Sequence, residues 1–146
     1  MLLEALIGIL IFTVGILGLI GLQAVAANAV SDSKYRADAA FLANQILSEM
    51  WASNPANLST FQTNPNGSGC NFSGTSNTTN TSVSNWIGAT NKAGTVLASL
   101  PGTSASTQQI KIGSDNTVSV TLCWRLPSAN AFHSLTIASQ INGTAP

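Results

Sequence analysis

From Ala5 to Val30 the chain carries no charged residue, and most of those positions are Leu, Ile, Val, Ala or Gly. About 20 apolar residues suffice to cross a bilayer as a helix, so this run is long enough to span. It is too long for the core of a signal peptide. It also lacks the basic flank and the cleavage pattern of one, and is read as retained in the mature protein. No proline interrupts it, but Gly8, Gly15, Gly18 and Gly21 punctuate it. Each glycine costs a helix roughly 1 kcal/mol relative to alanine, so Gly15, Gly18 and Gly21 mark its weakest stretch. Small residues at such spacing also let helices approach closely in an apolar medium.

The apolar run passes into a second pattern without a break. Tyr35, Ala39, Leu42, Ile46 and Met50 recur at helical spacing on an otherwise polar segment. Asp32 with Arg36 and Lys34 with Asp38 are opposite charges four apart, a spacing that favours a helix. Asn54-Pro55 is a stop signal. One continuous helix is therefore predicted from the N-terminus to about Ser53, roughly 80 Å long at 1.5 Å per residue. Its first half, residues 1–30, is apolar all round. Its second half, residues 31–53, is amphipathic and begins a globular region covering 31–146.

Residues 54–82 are mostly Asn, Ser, Thr, Gly and Pro, and read as a long irregular loop. Val83, Trp86, Ile87, Thr90, Ala93, Leu97 and Leu100 then predict a second helix over 83–100, weakened by Gly88 and Gly94. Strand patterns follow within 107–141, at Gln108–Ile112, Thr117–Arg125 and Phe132–Ile141. The alternation of Val118, Val120, Leu122 and Trp124 gives one buried face, as in an antiparallel sheet. The predicted class is α+β: a long N-terminal helix packed on a small antiparallel sheet, with one extra short helix and a long loop.

Charged residues make up 7% of the chain, against roughly 25% in ordinary soluble proteins. Such a shortage implies a surface that meets lipid, copies of itself or covalent sugar. The five basic residues form no stripe, which argues against nucleic acid as a partner. His133 stands alone, and Asp115 is the only acid beyond the long helix, so no acid–base pair or Ser-His-Asp set can be assembled. The Gly67–Gly69 run lacks the lysine of a phosphate loop. The expectation is no catalytic residue, no metal and no cofactor.

Cys70 and Cys123 either oxidise to one disulfide or remain as two buried thiols. A bridge would close a loop of about 54 residues and contribute roughly 4 kcal/mol. Six Asn-x-Ser/Thr triplets occur. Asn71, Asn77 and Asn80, with Ser82 in the hydroxyl-rich stretch, are the candidate sugar acceptors.

Glu4 is the one acid beside the apolar run. A carboxylate at mid-bilayer costs about 2.5–3.5 kcal/mol, although one at a helix end can reach the headgroups. Its other reading is a partner for a positive group, such as the N-terminal amine of a neighbouring copy. The segment LLEALIGILIF (Leu2–Phe12) resembles the N-terminus of type IV pilins and pseudopilins. Val14–Gln23, Tyr35–Gln45, Met50–Trp51, Leu100–Pro101, Cys123–Pro127 and His133–Thr136 with Gln140–Ile141 look like the PilV group of minor pilins, the type IV pilus modification proteins. Mature pilins usually carry the acid as their fifth residue; here it is the fourth.

The resemblance implies the type IV pilin fold and a prepilin cut by a prepilin peptidase and handled by the pilus assembly machinery. It implies residence in the bacterial inner membrane, then extraction into an extracellular helical filament of this chain and other pilins. Glu4 and Met1, the latter as a methylated amine, become the assembly residues. Gly15, Gly18 and Gly21 become the stretch that loses helical structure on assembly. The roles implied are adhesion or twitching motility. The alternatives are a type II secretion pseudopilin and a periplasmic binding module that the helix merely tethers.

Overall fold

The computed structural model describes residues 2–74, 80–88, 92–127 and 129–141. The chain divides into two compact units, Met1–Lys34 and Tyr35–Pro146. Helix α1, Leu2–Ala52, runs unbroken from the first into the second. In the first unit, α1 is the whole of the described structure.

In the second unit α1 shows the predicted stripe. Ala39, Leu42, Ala43, Ile46, Leu47 and Met50 are buried, a three-then-one spacing that keeps them on one face. Tyr35 is only partly buried. After α1 the Asn54 side chain accepts from Ala56 N at 2.9 Å, and Pro55 opens a 3-10 helix, Pro55–Phe61, that buries Leu58 and Phe61.

The described part of the region 54–82, residues 54–74 and 80–82, is therefore not the irregular loop its composition predicts. Beyond the 3-10 helix it forms a hairpin of β1, Asn66–Ser68, and β2, Asn71–Ser73. Gly69 and Cys70, the two residues between the strands, both have positive φ, 61° and 67°. Such a pair matches the right-handed twist of flanking strands and makes a tight two-residue turn.

The helix predicted over 83–100 is two helices: α2, Thr81–Ile87, and α3, Val96–Ser99. Gly88 separates them at φ 67°, and a side chain there would collide with Thr95. Thr90 lies outside the described residues. Asn80 caps α2 by accepting from Ser82 N at 2.9 Å and Val83 N at 3.4 Å. Trp86 Nε1 donates to Leu42 O at 2.8 Å, which ties α2 to α1 inside the core.

Strands β3, Gln108–Ile112, β4, Thr117–Trp124, and β5, His133–Gln140, form an antiparallel sheet in that order. Its inner face carries Ile110, Val118, Val120, Leu122 and Trp124, all fully buried in one cluster with the α1 stripe. Gln108 is fully buried as well. Its amide donates to Cys123 O at 3.1 Å and accepts from Cys123 N at 3.1 Å, so the polar group is satisfied where it sits.

The β3–β4 turn is held by Asp115, which accepts from Thr117 Oγ1 at 2.8 Å and Thr117 N at 3.1 Å. These bonds, the side-chain one first, hold its carboxyl below the usual 3.8. The stabilisation is complete above the unfolded value and is lost as pH falls through the lower folded value. Asp115→Asn should therefore lower the thermal midpoint at neutral pH, and the gap to wild type should close below about pH 4. A gap independent of pH between 2 and 7 would contradict this.

Candidate functional site

An α-helix leaves its first N–H groups without partners, and residues that share no core contact stay exposed on every side. Both conditions meet at the start of α1. Glu4 lies in the first turn, where the helix dipole favours negative charge. Residues 2–30 are exposed throughout. Their large apolar side chains range from 40% exposed at Ile16 to 85% at Leu2. Soluble monomers rarely show apolar patches beyond about a few hundred Å², so a surface of this extent is built to be covered.

The hydroxyls near this surface need no outside partner. Thr13 Oγ1 donates to Leu10 O at 2.9 Å, while Ser31 and Ser33 donate to Ala27 O and Ala29 O at 3.0 Å. Each is satisfied within its own helix, as an apolar medium requires. The glycines are equally telling. A Cβ added at Gly8, Gly15, Gly18 or Gly21 meets nothing within 4 Å, so the chain's own packing does not demand them. This helix is long and apolar enough to cross a membrane. Met1 lies outside the described residues.

The second predicted feature is present. Cys70 and Cys123 form a disulfide with Cα atoms 5.8 Å apart, which settles the alternative of free thiols. It fastens the β1–β2 turn to the outer face of β4, and with Phe72 it forms a small buried cluster of its own. A cavity of about 260 Å³, lined in part by Gly67, Phe72, Gln109 and Thr136, lies between hairpin and sheet.

The candidate sugar acceptors fare differently. Asn71 is exposed in β2, and Ser82 is half-buried in α2. The Asn80 amide is occupied at both ends, since it caps α2 and donates from Nδ2 to Thr60 Oγ1 at 2.9 Å. Asn77 lies outside the described residues.

His133 stacks on Trp124, ring centroids 5.9 Å apart, and Arg125 lies 5.1 Å over the Phe132 ring. Among the described residues no three His, Cys, Asp or Glu side chains gather where they could hold a metal. Phe41 and Trp51 are exposed on the α1 face turned from the core, which the sequence reading did not single out. Aromatic residues within a buried-stripe helix give no such signal until the core is known. No family model, curated protein or solved structure matches the chain.

Proposed function

We propose that this chain is a structural subunit of a type IV pilus-like filament, polymerising through residues 2–30 of α1. One observation carries the reading: an apolar helix surface exposed on all sides, with a single acid in its first turn. Lipid can cover that surface before assembly, and identical helices of neighbouring copies can cover it afterwards. Glu4 then meets the N-terminal amine of a neighbour. The chain resides in the inner membrane, is extracted by the assembly machinery, and ends in an extracellular filament serving adhesion or motility.

The glycines fit the same reading. On assembly, Gly15–Gly21 is expected to lose helical hydrogen bonds, because each glycine weakens the helix and none is needed for packing within the chain. Continuous helical density through that stretch in a filament reconstruction would refute this.

Mass spectrometry of filaments sheared from the cell surface tests the function itself. The expected result is this chain in the filament fraction, processed near Met1 and N-methylated. Recovery only from detergent-extracted membrane would favour a tethered binding module instead.

A further inference from the structure

Strands at sheet edges leave a row of backbone donors and acceptors open, and proteins usually blunt them with Lys, Pro, a bulge or a covering segment. The two edges of this sheet are treated differently. On β3, Ile110 exchanges both backbone bonds with Thr63, at 3.0 and 2.9 Å, and the Asn64 amide donates to Gln108 O at 2.9 Å. That edge is closed.

β5 has none of these devices. It pairs with β4 over its full length without a bulge, and HSLTIASQ contains no lysine, acid or proline. The bond from Ile141 N to Asn116 O fixes the parity of the ladder. Leu135, Ile137 and Ser139 therefore turn their backbone groups to β4, while Ser134, Thr136, Ala138 and Gln140 turn theirs outward. These four residues are exposed, and no described residue bonds to their backbone groups. The apolar layer also ends open here: Leu135 and Ile137 are half-buried, whereas Val120 and Leu122 beside them are fully buried.

We propose that the β5 edge pairs with the β5 edge of a second copy, antiparallel about a two-fold axis at Ile137. In that register Thr136 faces Ala138 of the other copy and Ser134 faces Gln140. Every outward N–H and C=O finds its complement, about eight bonds in all. Beyond Arg125 the chain has no Asp, Glu, Lys or Arg, and its one histidine, His133, faces Ile141 of the other copy in this register, so two copies meet along this edge without like-charge repulsion. The half-buried Ile137 side chains meet at the axis and complete the apolar layer.

An edge of one strand buries less than the roughly 1,200 Å² of a stable standard interface, so each contact is weak alone and gains strength when copies are arrayed. The axis stands perpendicular to the sheet and also reverses the helix segment 35–52 packed on it. If the filament reading holds, the paired copies belong to filaments of opposite polarity.

The test uses the full-length chain in detergent. Ile137→Cys under mild oxidation should give a disulfide-linked dimer, since residues facing across a non-hydrogen-bonded pair lie about 4.5 Å apart. Leu135→Cys should not, because the same axis separates its two copies by roughly 14 Å. Adding Ala138→Lys should cut the Ile137→Cys dimer about fivefold. The retained Cys70–Cys123 bridge reports that each variant is folded. Should Ile137→Cys fold poorly, Ala138→Cys at an exposed position, joined by a bis-maleimide of about 8 Å, reads the same pairing. Equal cross-linking at 135 and 137, as random contact through the apolar helices would give, overturns the proposal. So does the absence of any dimer, or a dimer indifferent to Ala138→Lys. None of these outcomes bears on Glu4-dependent assembly, which is measured separately.

Discussion

Replacing Cys70 and Cys123 together by alanine is expected to lower the stability of the globular unit by about 4 kcal/mol. The bridge joins residues 53 apart, so in the unfolded chain it removes the freedom of a long loop. Against the 5–15 kcal/mol of an ordinary domain this is a large fraction, and the thermal midpoint should fall by roughly 20 °C. The loss has a local face too. Strands β1 and β2 are three residues each, made of Asn, Gly, Ser and the single Phe72. A hairpin that short is not stable alone, and its small buried cluster consists of Phe72 and the two cysteines. The variant should therefore be cut by protease within 65–74 before the rest of the unit unfolds. A urea midpoint equal to that of the oxidised protein, with the hairpin still resistant, would show that packing and not the bridge holds this region.

Much of the architecture is legible in the sequence because its signals are periodic. The buried stripe at Ala39, Leu42, Ile46 and Met50 is spaced as a helix must space it, and the alternation from Val118 to Trp124 is spaced as a strand must. What escaped was carried by residues without periodicity. The β1–β2 hairpin depends on Gly69 and Cys70 adopting left-handed backbone, a choice that Asn-, Gly- and Ser-rich composition does not announce. Gly88 ends α2 at φ 67°, where a side chain would strike Thr95, a contact between residues seven apart that only the fold reveals. The open β5 edge is likewise invisible beforehand. His133–Gln140 reads as a strand, but which strand lies at the margin, and whether a segment like Thr63 covers it, are matters of topology. The candidate assembly surface was the most readable part, since a helix apolar on every side needs no partner in its own chain to define it.

Glu4→Leu is expected to leave the chain in the membrane at normal levels and to reduce its recovery in filaments by about 100-fold or more. The carboxylate is exposed in the first turn of α1, within the unit Met1–Lys34, so its loss should not disturb the core at Ala39–Met50 or the sheet. Leucine should insert into lipid more readily than glutamate, because the carboxylate carries a penalty of about 2.5–3.5 kcal/mol at mid-bilayer. The penalty falls on assembly instead. A positive amine packed among apolar helices without its carboxylate is an uncompensated buried charge, and breaking such a pair costs about 3–5 kcal/mol, or roughly two to three and a half powers of ten in an equilibrium constant. Glu4→Gln, which keeps a hydrogen-bond acceptor but no charge, should fall between the two. Quantifying the chain in membrane and sheared fractions separates the readings. A simple tether is not impaired by either substitution, and equal recovery of Glu4→Leu and wild type in filaments would remove the acid from the assembly reaction.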